Sequence, residues 1–422
     1  MLSLSKIREH TDAVQTAVNS KGESIDLSGI LELDRSHRSI LTDANDLRAE
    51  RNRVSEEIAK VKRSGGDADS TIAEMRVVGD KIKALEEKAD EIQDELRSLL
   101  ELIPNVPHES VPIGEDELGN KVVKEWGEKP SFDYEIKDHT ELGSDLELFD
   151  FERSAKISGS GFPLYTGIGA KLERALINYM LDFHLEHHGY TEVFPPLLVR
   201  GGAPYTCGQL PKFEEDMYHT EKDQLYLIPT AEVPVTNIHM EEILDETQLP
   251  INYTAYSACF RREAGSYGKD TRGLLRVHQF NKVEMVKFVT PDSSYTELES
   301  LVSNAEAVLQ SLGLHYRVIE LCTGDLSFAA AKCYDLEVWS PADEQWLEVS
   351  SCSNFEDFQA RRGNIRYRRT TDRKTDFLHT LNGSGVATPR LMIALLETYQ
   401  TPDGKVMIPK ELQPYAGMEV IG

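Results

Sequence analysis

Apolar residues recur along the first quarter of the chain at helical spacing. Ile40, Ala44, Leu47, Arg51, Val54, Ile58 and Val61 follow one another at intervals of 4, 3, 4, 3, 4 and 3 residues. This is the a/d seam of a heptad helix with one polar break at Arg51. After the breaker SGGD at 64–67, a second seam runs through Ile72, Met75, Val78, Ile82, Leu85, Ala89, Ile92, Leu96, Leu99 and Ile103. Two such helices joined by a short glycine turn fold back as an antiparallel coiled-coil hairpin. At a rise of ~1.5 Å per residue, the arm would span roughly 40–50 Å. Residues 1–30 are mixed, and we read no function from them. Pro104, Pro107 and Pro112 end the second helix, and the polar sequence that follows reads as a linker.

Beyond the linker the periodicities alternate. Leu172, Leu176, Met180 and Phe183 predict an amphipathic helix over 170–188 that stops at Gly189. The strand TEVFPPLLV follows, and its Pro195-Pro196 confines it to an edge or interface position. LYLIPTAEV (225–233) is apolar up to a polar triad, Thr230-Ala231-Glu232. A strand pair spans 255–289, a helix with Leu298, Leu301, Ala305, Val308 and Leu312 on one face covers 293–312, and a second β region covers 315–352. In LNGSGVATPRLMIALLETY, Pro389 fits only in the first turn of a helix, which puts Arg390 near the helix N-terminus. Strands interleaved with helices, without regular βαβ crossovers, predict an α+β fold with an antiparallel β-sheet core flanked by helices.

A chain of 422 residues has room for two or three domains. Its net charge of −26 argues against wholesale nucleic-acid binding, which needs Lys and Arg against phosphate. The charge is uneven, however. Between 35 and 63, eight basic side chains (Arg35, Arg38, Arg48, Arg51, Arg53, Lys60, Lys62, Arg63) face five acidic ones, whereas 72–102 holds five basic and nine acidic. The first helix of the arm is therefore the better candidate for a polyanion contact; the alternative is a solvated helix face with intrahelical ion pairs. Five cysteines without a CxxC pair read as reduced, buried thiols. His184, His187 and His188 have no carboxylate or cysteine at metal spacing and read as surface residues. No apolar run is long enough to span a membrane. The N-terminal MLSLSKIREHTD lacks the basic flank and apolar stretch of a signal peptide, so a cytoplasmic location is expected.

The candidate chemistry centres on CFRREAGSYGKDTRGLLRVHQFNKVE, Cys259 to Glu284. Alternate strand residues share a face. Arg261 and Glu263 would point together on the first strand, and Arg276, His278, Phe280 and Glu284 on the second. That face would extend about 26 Å at ~3.3 Å per residue, room for an elongated anion with an aromatic base at one end. No Walker loop or GxGxxG is present, which leaves ATP lying on an antiparallel sheet. Arg261, Arg276 and Arg390 can clamp phosphates bidentately. Glu348 with Ser351 offers hard oxygens for a divalent cation. As a strand residue, His278 reads as structural rather than as a general base.

In these residues the chain resembles the bacterial-type seryl-tRNA synthetases, class II aminoacyl-tRNA synthetases, nearly from end to end. The helix and TEVFPPLLV (about 170–199) look like motif 1, FRREAGSYGKDTRGLLRVHQF with its strands (about 255–289) like motif 2, and NGSGVATPR with its helix (about 382–398) like motif 3. TAE looks like the serine-binding loop, and LEVSSCSNFEDFQARR like the metal-binding strand and its following loop. The resemblance implies a tRNA-binding domain over 1–104 with its arm at about 35–103, a linker over 105–160 and a catalytic domain over 161–422. Arg261 would hold the α-phosphate and the substrate carboxylate, Glu263 the adenine amino group, and Phe280 would stack on the ring. Arg276 and Arg390 would bind the outer phosphates, and Glu348 and Ser351 would ligate Mg²⁺. Their neighbours Arg262, Val277, Val349 and Ser350 would complete the ATP site. Thr230, Ala231 and Glu232 would receive the serine amino group and Glu284 its hydroxyl, with Ser384 close by. Small departures occur at Arg262, Ser327, Val386 and Thr388-Pro389, and none removes a named ligand.

The implied reaction activates L-serine with ATP to seryl-adenylate and transfers serine to the 3′ end of tRNA(Ser), and of tRNA(Sec) where that is present. In this family the arm reaches across a homodimer to the long variable arm of the tRNA, read largely by shape and backbone. The loop from Ala264 to Leu275 would meet the tRNA acceptor end. A competing reading is a synthetase-like ligase that charges a carrier protein; such relatives lack the long arm. Another is a coiled-coil interaction protein with a degenerate catalytic domain, against which every expected ATP and Mg²⁺ ligand counts.

Overall fold

The heptad seams form two long helices preceded by two short ones in the computed structural model, which describes residues 1–264 and 272–422. These are α1 (Leu4–Glu9), α2 (Thr11–Ser20), α3 (Leu27–Arg63) and α4 (Asp69–Glu101). Helix α3 begins well before Ile40 because Asp26 caps it, its carboxylate accepting the Ser28 N–H at 2.9 Å. Ile7, Val14, Val18, Leu27 and Ile30 are buried in this unit, so residues 1–30 do have a pattern, spread over segments too short to show a period. Ile40, Ala44 and Val54 on α3 and Ile82, Ala89, Ile92 and Leu96 on α4 are buried, whereas Val61 at the end of the seam is exposed. Arg48 and Glu86 pair across the two helices. Leu2–Asn19 and Glu23–Ile103 form one compact unit; Met1, Ser20–Gly22 and Pro104–Gly422 form another.

The second unit is built on an eight-stranded sheet. Its strands are β1 (Lys121–Trp126), β2 (Thr191–Glu192), β3 (Ile251–Phe260), β4 (Gln279–Val289), β5 (Tyr316–Glu320), β6 (Lys332–Ser340), β7 (Gln345–Asn354) and β8 (His379–Ala387). They lie in the order β1-β5-β6-β7-β8-β4-β3-β2. Every neighbouring pair is antiparallel except β2 with β3, which is parallel. The single strand expected over TEVFPPLLV is divided. Its first part is the edge strand β2, while Leu198–Arg200 joins a separate three-stranded sheet. Pro195-Pro196, with no N–H to donate, separates them.

Five helices matter to the site: α5 (His139–Asp145), α6 (Gly167–His188), α7 (Ser294–Ser311), α8 (Phe358–Gly363) and α9 (Thr388–Thr398). Helix α6 stops at Gly189, which takes a left-handed φ of 69°. Leu176 and Met180 of α6, Leu301 and Val308 of α7, and Leu391 and Leu395 of α9 pack with Val283, Met285 and Leu381 into the main core. One sheet face is thereby covered. His184 belongs to this interior and is fully buried, which corrects the surface reading for that residue; His187 is exposed. Burial, and then the neighbouring His188, depresses the His184 ring to about 3. No described helix is long and apolar enough to cross a membrane.

Among the described residues three irregularities interrupt the ladders: one in β1, between Val122 and Lys124 at the sheet edge, and two beside the uncovered face. Against β6, Leu336 pairs with Ser350 but Glu337 pairs with Glu348, so Val349 is an extra residue in β7. Against β4, Ser384 pairs with Glu284 and Ala387 with Lys282, which puts one extra residue in β8. Gly383 lies just before that second bulge, where an added Cβ would sit 2.8 Å from Cys352 Sγ and 3.0 Å from Leu301 Cγ. Gly383→Ala is expected to cost roughly 1–3 kcal/mol by overpacking. A lowered midpoint of urea unfolding checks this, and an unchanged midpoint contradicts it.

Candidate active site

The uncovered face of the sheet holds a cleft of about 400 Å³. Thr230, Glu232, Arg261, Glu263, Arg276, Val277, Phe280, Glu348, Val349, Ser351, Ser384 and Arg390 all line it. Four of the expected residues do not. Ala231 is buried in an apolar cluster with Val286 and Phe288. The exposed Arg262 donates to the Glu215 carbonyl at 2.9 Å. Ser350 donates its hydroxyl proton to the Ser384 carbonyl at 2.6 Å. Glu284 is fully buried beneath the floor.

The expected charged strand face is shorter than 26 Å. Strand β3 ends at Phe260 and β4 begins at Gln279, so Arg261, Glu263, Arg276 and His278 lie beyond the strand ends. Glu263 takes a left-handed φ of 52° and pairs with Arg276. Arg261 is fixed by its N–H to the His278 carbonyl at 2.9 Å and its Nε to the Pro229 carbonyl at 3.4 Å. Its guanidinium lies 5.1 Å from the Phe280 ring centroid, a cation–π contact. His278 Nδ1 is 3.0 Å from the Arg261 carbonyl, and its backbone N–H donates to the Gly161 carbonyl at 2.7 Å. The described residues from 265 to 271 being none, the expected tRNA contact over those positions lies outside the described residues.

Under the floor, Glu284 sits in a polar knot. Thr230 donates its hydroxyl to Glu284 Oε2 at 2.7 Å, Lys282 pairs with the same oxygen, and Lys282 Nζ donates to Thr230 Oγ1 at 2.9 Å. Asn382 approaches Oε1 at 3.4 Å. Oε1 is therefore the better placed of the two oxygens to accept a further donor. Sequence reasoning missed Lys282 and Asn382, although Lys282 has the strand parity of Phe280 and Glu284. It also missed Gln359, whose Nε2 donates to Glu232 Oε1 at 2.6 Å while its own oxygen accepts the Thr380 hydroxyl at 2.7 Å. Gln359 stands on α8, far along the chain from Glu232, and only the fold joins them. Burial, and then the Glu284 charge, pushes Glu232 up to about 7 against the opposing pull of Gln359, Lys282 and Arg261.

On the opposite wall Arg390 donates through Nη1 to the Glu348 carbonyl at 2.8 Å and through Nε to the Leu275 carbonyl at 3.3 Å. Ser351 Oγ lies 3.1 Å from Cys333 Sγ and is hydrogen-bonded to Asp335. Burial, and then the charge of Glu348, holds the Asp335 carboxyl well above its usual range. Two carboxylates and a hydroxyl thus converge, a hard-oxygen set suited to a divalent cation.

Such a face, with phosphate-ready arginines, an aromatic platform and a buried carboxylate, has parallels among known proteins. Residues 212–399 match the model of the tRNA synthetase class II core domain (G, H, P, S and T), and residues 1–107 that of the seryl-tRNA synthetase N-terminal domain. A serine–tRNA ligase of Chloroherpeton thalassium is 56% identical over the whole of both chains, and one of Geobacter sulfurreducens 54% identical. The chain belongs to the seryl-tRNA synthetases. A crystal structure of seryl-tRNA synthetase from Pyrococcus horikoshii complexed with ATP is similar over 100% of this chain and 99% of that one, with a TM-score of 0.95 at 39% identity. A carrier-protein ligase is not favoured, since the family's N-terminal domain and the full-length relatives cover the arm as well.

In this seryl-tRNA synthetase cleft the buried Glu232 carries a penalty. Between pH 4.5 and about 7 the folded chain keeps a proton on Glu232 that the unfolded chain has released. Stability therefore falls as pH rises through that window, and the full penalty is present above it. Glu232→Gln keeps an oxygen for Gln359 and removes the charge. Without substrates it is expected to be more stable than the parent by on the order of 3 kcal/mol above pH 7, the gap closing toward pH 4.5. Thermal unfolding across pH checks this; a difference that does not grow with pH contradicts it.

Proposed function

We propose that this cleft is where the chain activates L-serine with ATP and from which it charges tRNA. The buried Glu284 knot beside the arginine-lined cleft carries the reading. A buried acceptor that a substrate hydroxyl completes rejects alanine or glycine by about 10⁴–10⁵, far more than a methylene-sized difference allows. The serine ammonium meets Thr230 and Glu232, and its hydroxyl meets Oε1 of Glu284, which holds only the long Asn382 contact. Two carboxylates against Lys282 leave one negative charge for that ammonium to balance. Arg261 holds the serine carboxylate against the α-phosphate while the adenine lies over Phe280. Glu263 leaves Arg276 for the adenine amino group, which frees Arg276 to join Arg390 on the outer phosphates. Glu348 and Ser351, backed by Asp335, would hold Mg²⁺, whose role when bound is to neutralise phosphate charge.

The serine carboxylate oxygen attacks the α-phosphorus in line, the bond to the bridging oxygen breaks, and pyrophosphate leaves. A terminal ribose hydroxyl of tRNA then attacks the adenylate carbonyl and releases AMP. No protein nucleophile is needed; orientation and charge neutralisation carry the first step. The tRNA(Ser) partner, with its long variable arm, meets the basic side of α3. Lys60, Lys62 and Arg63 are exposed there and make no ion pair among the described residues, whereas Arg38, Arg48 and Arg53 already pair with carboxylates. On this reading 1–104 binds tRNA, 105–160 links, 161–422 catalyses, the chain works as a homodimer in the cytoplasm, and tRNA(Sec) is a second substrate where present.

Pyrophosphate exchange across a panel of amino acids, with charging of a tRNA that has a long variable arm, tests this. Serine alone is expected to support exchange, and a chain with 35–100 replaced by a short turn is expected to keep exchange and lose charging. Exchange driven by another amino acid, or charging that survives the deletion, would contradict the reading.

A further inference from the structure

Four segments of the second unit meet at a pair of buried side chains outside the cleft, His139 and Glu397. His139 opens α5, and Glu397 lies seven residues after Arg390 on α9. Both are fully buried. Glu397 Oε1 accepts the His139 backbone N–H at 3.1 Å and lies 3.3 Å from His139 Nδ1. Oε2 accepts the Ser340 hydroxyl at 2.6 Å and the Ala342 N–H at 3.3 Å. The other ring nitrogen, Nε2, accepts the backbone N–H of Leu274 at 3.3 Å. The proton therefore belongs on Nδ1 and the lone pair on Nε2. Asp343 also comes near, but Arg272 donates to its carboxylate at 2.9 Å. With Nε2 committed to a backbone N–H, His139 has no lone pair left for a metal, and the cluster is a structural knot.

The position of the knot gives it a task. The backbone N–H it holds belongs to Leu274, and the next carbonyl, Leu275, accepts Arg390 Nε at 3.3 Å. Helix α9 thus grips two consecutive residues, Leu274 through Glu397 and His139, and Leu275 through Arg390. Arg276 comes next. Gly273 shows how closely this strap passes: at φ 53°, an added Cβ would lie 2.3 Å from His139 Nε2. Leu274 and Leu275 are buried and line the cleft.

We propose that His139, held by Glu397, is a positioning residue for ATP: it sets where Arg276 stands relative to Arg390, and so the spacing of the two-arginine grip on the outer phosphates. The inference rests on the reading of Arg276 and Arg390 as phosphate ligands. His139 does not line the cleft, and Thr230, Glu232 and Glu284 are held by Lys282 and Gln359 rather than by the knot, so the proposal leaves serine binding independent of it. A displacement of about 1 Å at a binding group is enough to cost orders of magnitude in rate.

His139→Phe keeps a ring but removes the acceptor, whereas His139→Gln returns an amide oxygen to the place of Nε2. In pyrophosphate exchange with the full chain, His139→Phe is expected to raise KM for ATP about tenfold while KM for serine stays within about twofold, and His139→Gln to recover most of the loss. An unchanged KM for ATP in His139→Phe overturns the proposal. So do equal rises in both KM values with no recovery by Gln, which mark a merely structural role. Should His139→Phe fail to fold, Ser340→Ala, which loosens Glu397 alone, is expected to raise KM for ATP about threefold and leave serine unaffected; no rise overturns the proposal. Arg276→Gln runs alongside. If its KM for ATP does not change, the phosphate reading itself falls and the proposal with it; if it rises while His139→Phe is silent, only the proposal falls.

Discussion

A β-strand shows only every second side chain to either face, and the cleft depends on breaking that rule in two places. With one face of the sheet committed to the core under α6, α7 and α9, all of the polar chemistry has to gather on the other. Glu348 and Ser351 are three apart and would face opposite ways on a regular strand; the extra residue Val349 turns both into the cleft. Ser384 and Ala387, also three apart, reach it by the second bulge. There Val386 sits at φ 90°, a conformation that costs a β-branched residue of order 1–3 kcal/mol. Complete burial of its side chain in the core helps to offset that strain.

The second constraint is charge. Glu284, Glu232 and Lys282 are all buried, and isolated charges there would be prohibitive. They persist because each is bonded. Lys282 and Thr230 hold Glu284, and Gln359 holds Glu232. Even so, Glu232 is pushed up to about 7. A site with one negative charge in excess favours a bound cation over an empty cleft.

Much of this was legible in the sequence because it lay in local patterns. The heptad seams foretold α3 and α4, Pro389 fixed the start of α9 in advance, and the Arg, Glu and Phe of the hairpin all stand in or beside the cleft. What was not legible depends on tertiary pairing. Bulges have no period, so the shared direction of Glu348 and Ser351 was invisible. Arg261, Glu263 and Arg276 were read as strand residues, yet the ladder ends before them, at Phe260 and Gln279, and Glu263 turns to a left-handed φ. Gln359 and Asp335 act on residues distant in sequence, and His184 was read as exposed because its partner surface, β8, lies two hundred residues away. Lys282 is different: its parity was in plain view beside Phe280 and Glu284.

On the proposed reading, the cleft is one continuous binding face for serine joined to AMP. A crystal structure with a non-hydrolysable seryl-adenylate analogue measures that directly. The predicted result places the serine hydroxyl on Glu284, the amine between Thr230 and Glu232, and the adenine over Phe280. An analogue that leaves Glu284 bonded only to Lys282, Thr230 and Asn382, or that sets its base away from Phe280, would contradict it.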